Sequence, residues 1–248
     1  MKIFKKQQLG FTLVEMAIVL IILGFLLTAF LMPLKAQRDI AFQLETQRAL
    51  ENAKKALIGF AQTNGRLPCP ATNNGSETFP DDTGTSNPNG SGNCILQVGF
   101  LPATTLGVQP VDDQGFALDA WNNRIRYAVT QSSFGGSPST ADFTVNIATD
   151  GMNVVGIANL QPDLSVCAAD GCTNSLINNA VAVLYSLGPT SAQASGGDDE
   201  DENLDNNSPF VSHASTAAGA PNGEFDHIVT WLSPYVLYNA MIEAGQLH

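Results

Sequence analysis

The groups in this 248-residue chain that are able to do chemistry are few and sit in three places. The first is Asp198-Asp199-Glu200-Asp201-Glu202-Asn203-Leu204-Asp205-Asn206-Asn207, with six acids in eight positions. Calcium takes six to eight oxygen ligands and tolerates irregular loops, so such a run suits it. No Asp-x-Asp-x-Asp-Gly run marks an EF-hand, and six like charges repel unless solvent or a cation screens them. By itself the string reads as a solvated, mobile acidic loop. The second place is the cysteines Cys69, Cys94, Cys167 and Cys172, two sequence-local pairs. Of the three possible pairings, locality favours Cys69–Cys94 and Cys167–Cys172, given an oxidising compartment. Closing the first loop contributes roughly 3 kcal/mol in the chain-entropy model. Zinc would need Cys-x2-Cys-type spacing or nearby His ligands, and neither is present. The third is Glu15, one acid inside an apolar run, four residues after Phe11.

Enzyme chemistry has little to work with. His213, His227 and His248 are the three histidines, and no Gly-x-Ser-x-Gly elbow, P-loop or dinucleotide fingerprint accompanies them. The sequence therefore reads as a non-enzyme. Eleven Lys and Arg against 23 Asp and Glu give −12, and without Lys2, Lys5 and Lys6 the balance is 8 − 23 = −15. A body this acidic repels nucleic acid, and Arg66, Arg124 and Arg126 are weak grounds for a local binding patch. No nucleic-acid partner is expected.

Residues 11–34 carry a single charge, Glu15, and as a helix span about 36 Å, enough for a hydrocarbon core of roughly 30 Å. The lysines before this run leave the N-terminus cytoplasmic and send the rest outward. The run is too long for a signal peptide and lacks a good small-residue cleavage site at its far end. A simple anchor explains span and lysines but not Glu15, since an acid inside a spanning helix is costly without a partner. A chain beginning at Phe11 would offer its α-amino group one turn away, or on a neighbour's helix end. Beyond the run, Ile40, Leu44, Leu50, Ala53, Leu57 and Phe60 recur at helical spacing, and Asn64-Gly65 and Pro68 stop the helix. Residues 11–62 predict a helix about 75 Å long, bent or broken near Pro33, with Gly24 a second weak point.

The remainder alternates loops and strand-like runs. Residues 71–95, 131–140 and 188–224 read as loops, the last of them acidic. Asn123–Val129, Phe143–Ile147, Ala180–Ser186 and Phe225–Leu232 read as strands, and 234–245 as a short helix closed by Gly245. The fold class is α+β: a long N-terminal membrane-spanning helix packed on a small, mainly antiparallel sheet head with long loops.

Leu9-Gly10-Phe11-Thr12-Leu13-Val14-Glu15, with basic residues before and an apolar run after, resembles the prepilin-peptidase site of type IV pilins and type II secretion pseudopilins. That resemblance implies cleavage between Gly10 and Phe11 by prepilin peptidase, N-methylation of Phe11, and Glu15 guiding subunit docking into a helical filament. It divides the chain into a leader (1–10), an assembly half-helix (11–34), an amphipathic stalk (35–62) and a periplasmic head (63–248). The implied partners are other pilin or pseudopilin subunits and an inner-membrane assembly platform. In the head, Asp119-Ala120-Trp121-Asn122-Asn123-Arg124-Ile125-Arg126-Tyr127 is similar to an Asp-x-Trp-Gly-x-x-x-x-Tyr stretch of major pseudopilins, with Asn in place of Gly. Tyr185-Ser186-Leu187-Gly188 and Asp226-His227-Ile228 followed by Trp231 resemble the segments that flank their calcium loop. By position the resemblance makes calcium the implied cofactor, with Asp198, Asp199, Asp201, Asp205 and Asp226 as candidate ligands. The loop here is much longer than in that family. The expected role is a structural filament subunit, the large head favouring a minor or tip position. The alternative is a periplasmic binding protein or adhesin on a pilin-like anchor.

Overall fold

The computed structural model describes residues 12–78, 94–134, 141–147, 150–191 and 196–248, with side chains in 28–36 left aside. Gly10 and Phe11 lie outside the described residues, as do Pro33's side chain and most of the 71–95 loop. The chain divides into two units, residues 1–42 and 43–248.

Helix α1 (Leu13–Asn64) is unbroken at Pro33, where the sequence predicts a bend or a break. One proline removes a single helical hydrogen bond, and the leucine-, alanine- and methionine-rich turns around it favour helix. In the first unit, Thr12 and Glu15 form a reciprocal cap. The Glu15 N–H donates to Thr12 Oγ1 at 3.2 Å, while Glu15 Oε2 accepts the Thr12 N–H and hydroxyl, each at 3.0 Å. The side chains from 12 to 27 are all exposed, Leu13 at 91% and Phe25 at 73%. Among the described residues no helix is long and apolar enough to cross a membrane.

The second unit is organised on the remainder of α1. Leu50, Ala53, Leu57 and Ala61, spaced three and four apart, are almost wholly buried. Ile40 and Leu44, expected on the same stripe, are exposed instead, and burial begins at Thr46, whose hydroxyl accepts the Ala120 N–H at 3.2 Å. Gly65 ends the helix in the left-handed conformation (φ 69°), its N–H returning to the Ala61 carbonyl at 2.8 Å.

The strands are β1 (Val98–Phe100), β2 (Arg126–Val129), β3 (Asn146–Ile147), β4 (Asp150–Gly151), β5 (Leu164–Cys167), β6 (Ser175–Ala180), β7 (Ala182–Ser186), β8 (Phe210–Val211) and β9 (Ile228–Leu232). The further helices are α2 (Ala103–Leu106), α3 (Met152–Val155), α4 (Asp198–Leu204) and α5 (Pro234–Glu243). The main sheet is antiparallel in the order β1-β2-β7-β9. One face, with Tyr127, Val129, Ala182, Leu184 and Leu232, joins the α1 stripe and Leu237 and Met241 of α5 in one core. The other face, with Val98, Ala128, Val183 and Tyr185, meets Leu164, Val166 and Phe210 of a second sheet, β6-β5-β8. Strand β7 is covered on both faces, which is why its sequence is a continuous apolar run. Helix α5 starts with Pro234 after Ser233 and ends in a Schellman pair, Gln246 N–H to Met241 O and Gly245 N–H to Ile242 O, both 2.9 Å. Both disulfides pair locally, Cys69–Cys94 and Cys167–Cys172.

Four expectations change. The 188–224 segment is more than a loop, since it holds α4 and β8. The run expected as one strand at Ala180–Ser186 is the junction of β6 and β7, interrupted at Val181. The Phe143–Ile147 strand shortens to Asn146–Ile147, and Phe225 bridges Thr216 rather than opening β9.

Leu57 is fully buried at the centre of the helix–sheet layer. Leu57→Ala is expected to lower stability by about 2–5 kcal/mol, read as a shift in the chemical denaturation midpoint of the full chain in detergent.

Candidate functional site

The three head stretches singled out in the sequence come together at one end of the main sheet. Asp119, 5% exposed, gathers a turn: Oδ1 accepts the Trp121 and Asn123 N–H groups, both at 2.8 Å. Its Oδ2 accepts the Ser186 hydroxyl at 2.5 Å, fastening that turn to the end of β7. Asn122 stands where the resembled stretch has Gly, and its φ of 65° is the reason. The position requires the left-handed region, which Gly enters freely and Asn tolerates. Asn123 Nδ2 then donates to the Gly188 carbonyl at 2.7 Å. Gly188 is itself left-handed, and a Cβ there would collide with Asp226 Oδ1. Asp226 Oδ2 in turn accepts the Thr190 N–H (3.1 Å) and hydroxyl (2.6 Å).

The acidic run forms α4 because its acids crowd the first turn, where the helix dipole favours negative charge. Glu200 turns inward and is 3% exposed, accepting the Gly196 N–H and the Asp226 N–H, both at 2.8 Å. Burial pushes both the Glu200 and Asp226 carboxyls above their usual range; the charges of Asp226 and Glu224 add to the rise at Glu200, and that of Glu224 adds to the rise at Asp226, where contact with Glu200 acts the other way. Asp226 Oδ1 is buried with no hydrogen-bond partner.

The five predicted ligands are dispersed. Asp199 is buried and occupied, accepting the Asp170 N–H at 2.6 Å, Asn222 Nδ2 at 3.1 Å, and facing His213 Nε2 at 3.1 Å. Asp205 accepts the Asn207 N–H and Nδ2 at 3.0 and 2.5 Å. Asp198 and Asp201 are the exposed residues of the first turn of α4. Among the described residues the one group of three potential ligands that gathers, with atoms within 4.8 Å, is Glu200, Asp226 and His227. Glu200 escaped the sequence reading because no local feature distinguishes it from the acids around it.

His227 is set apart by its partner. Asn203 Oδ1 accepts the Val211 N–H at 2.8 Å and its Nδ2 donates to the Val211 carbonyl at 3.0 Å, so this amide has one orientation. Its second N–H then faces His227 Nδ1 at 3.2 Å, which makes that nitrogen an acceptor and assigns the ring proton to Nε2. The imidazole is 6% exposed and burial pushes its pKa down to about 4. A ring held in that tautomer is a poor metal ligand, and any cation here rests on the two carboxyls.

Comparison with protein-family models matches residues 5–31 to the prokaryotic N-terminal methylation motif. This chain carries the methylation motif. It is the hallmark of type IV pilins and pseudopilins, and it implies processing by prepilin peptidase and assembly with other pilin subunits. Comparison with curated proteins and with solved structures gives no match. The motif's residues include Gly10, Phe11 and Glu15, and of these Glu15 lies among the described residues, in the cap with Thr12.

The His227 pKa yields a pH dependence. Its ordinary value is 6.5, so between pH 6.5 and 4 the unfolded chain binds a proton that the fold refuses. Stability therefore falls as pH drops through that window, by about 3 kcal/mol from this group. Denaturation of wild type and His227→Gln across pH 4–7 isolates it: the variant is expected to lose that slope.

Proposed function

We propose that this chain is a structural subunit of a type IV pilus-like filament or type II secretion pseudopilus, and not an enzyme. The single observation that carries the reading is the methylation motif at residues 5–31 opening a 52-residue helix. The apolar half-helix, residues 11–34, spans the inner membrane with the head in the periplasm before assembly. What supports this is an apolar surface exposed all round from 12 to 27, which in water would be a heavy liability. Lipid covers it before assembly and neighbouring helices cover it afterwards. Glu15 is then the assembly group: cleavage after Gly10 leaves Phe11 with a free amine, which a neighbour's Glu15 neutralises in low dielectric. The large head, with two disulfides and an α4 of its own, favours a minor or tip subunit.

Glu15→Ala is expected to leave the membrane-bound precursor at normal abundance while reducing its incorporation into filaments at least tenfold, read by immunoblot of sheared filaments. In electron micrographs, antibody to the head should label filament ends alone for a minor subunit and the whole length for a major one. A head-containing periplasmic complex with no filament would favour a binding protein on a pilin-like anchor.

We also propose calcium at the carboxyl pair Glu200 and Asp226, the second of which belongs to the ligand set expected from sequence. The support is the buried, unpartnered Asp226 Oδ1 beside a second buried carboxyl. Millimolar calcium should raise the melting temperature of the full chain in detergent, and Asp226→Asn should remove the rise. An equal rise with magnesium would contradict calcium selectivity.

A further inference from the structure

Strand β1 is an outer strand of the main sheet, and its outer edge is only partly paired. The Val129 N–H donates to the Gln97 carbonyl and the Leu101 N–H to the Ile125 carbonyl, both at 3.0 Å. Alternation along an antiparallel strand then directs the backbone of residues 97, 99 and 101 towards β2, and that of Val98 and Phe100 outward. Phe100 is closed from outside by Ala71, through bonds of 2.8 and 3.0 Å. Val98 has no such bond among the described residues. Its outward N–H and C=O find no partner among the described residues, although the residue is only 4% exposed. An unpaired backbone donor and acceptor at a buried strand edge are rare and form a template for another strand.

A cleft of about 280 Å³ opens beside these groups, bordered by Ala71, Thr72, Leu96, Val98, Arg126 and Asn206. Arg126 is the cation of this cleft. Its guanidinium lies 4.6 Å from the centre of the Phe100 ring, and among the described residues its hydrogen bond is a long one of 3.5 Å to Asn206 Oδ1. Arg66 and Arg124 each hold a carboxylate, Glu77 and Asp112, whereas Arg126 has none in ion-pair reach among the described residues. In a chain of net charge −12 that is a conspicuous omission. Stacking on Phe100 holds the guanidinium plane in place for a carboxylate. Ile95 and Leu96, at 48% and 46% exposure, add apolar surface to the same edge.

We propose that β1 is a docking edge for an extended peptide segment of a partner protein, which adds a strand beside Val98 and places a carboxylate on Arg126. Backbone bonds to Val98 hold any extended chain, and the Arg126 pair selects an acidic one. A free carboxylate would satisfy Arg126 and leave Val98 unpaired, so the two features together specify a peptide. A head this acidic repels most acidic partners, and the Arg126 cleft is where one is admitted.

The test titrates the full chain in detergent micelles with fluorescein-labelled, end-capped octapeptides of alternating Thr and Val. One Thr is replaced by Glu at each position in turn, with Gln twins and backbone N-methylated versions alongside. At least one Glu peptide is expected to saturate below millimolar concentration, with its Gln twin and its N-methylated version each about tenfold weaker. Val98→Pro and Arg126→Gln should cost about the same factor, and Arg124→Gln, already paired with Asp112, should cost little. Absence of saturation by every Glu peptide overturns the proposal, as does equal binding of Glu and Gln twins. Binding that acetate abolishes but N-methylation leaves unchanged reduces the site to a carboxylate pocket and also overturns it. The N-methylated probes act on wild-type protein, so the outcome stands even where Val98→Pro fails to fold.

Discussion

Burial of the stripe Leu50, Ala53, Leu57 and Ala61 against the inner face of the main sheet is the interaction on which the head depends. An amphipathic helix of this kind gains little from propensity alone, and its stability comes from packing its apolar face. Each large side chain removed from water contributes about 1.5–3 kcal/mol, and the layer continues through Tyr127, Leu184, Leu237 and Met241. That packing places the opposite face of the sheet against β5 and β8, and so makes β7 a strand with no solvent side. The polar ends of β7 and β9 must then satisfy themselves locally. Asp119, Ser186 and Gly188 do so in one set of hydrogen bonds, and Thr190 and Asp226 in a second beside it.

What was legible from sequence was whatever rests on local rules. The long helix followed from period and from Asn64-Gly65, and the structure ends it where that left-handed Gly demands. The final helix and its Gly245 stop, and the pairing of the cysteines by locality, were equally readable. What was not legible depends on tertiary partners. Strands β5 and β8 are short, β5 pairs β6 with register irregularities, and each is defined by the sheet it completes. The acidic run reads as solvated because charge dominates the string. Its helix is also fixed by Glu200, drawn inward by the N–H of Gly196 just before the helix and by that of the distant Asp226. The expected set of five carboxylates treated that run as a flexible loop able to wrap an ion. A helix turns those side chains to different sides, and Asp199 and Asp205 satisfy backbone and amide donors instead.

The two ends of the molecule obey different constraints. The head satisfies its buried polar groups almost completely, and among the described residues Thr144 Oγ1, Asp226 Oδ1 and Tyr238 OH are the buried side-chain atoms left over. The first part of α1 does the reverse, holding an apolar surface exposed on every side while its one acid closes a cap with Thr12. A surface of that kind makes sense only if something other than water covers it. The methylation motif overlaps this surface, and the proposed function assigns its cover to lipid first and to neighbouring subunits afterwards.

The proposed filament role depends on cleavage between Gly10 and Phe11. Intact-mass and N-terminal peptide mass spectrometry of the chain from membranes containing prepilin peptidase tests it most directly. A mature chain that starts at Phe11 and carries one methyl group on its α-amine is the predicted result. A chain that keeps Met1 under those conditions, or is cut anywhere other than between Gly10 and Phe11, would contradict it.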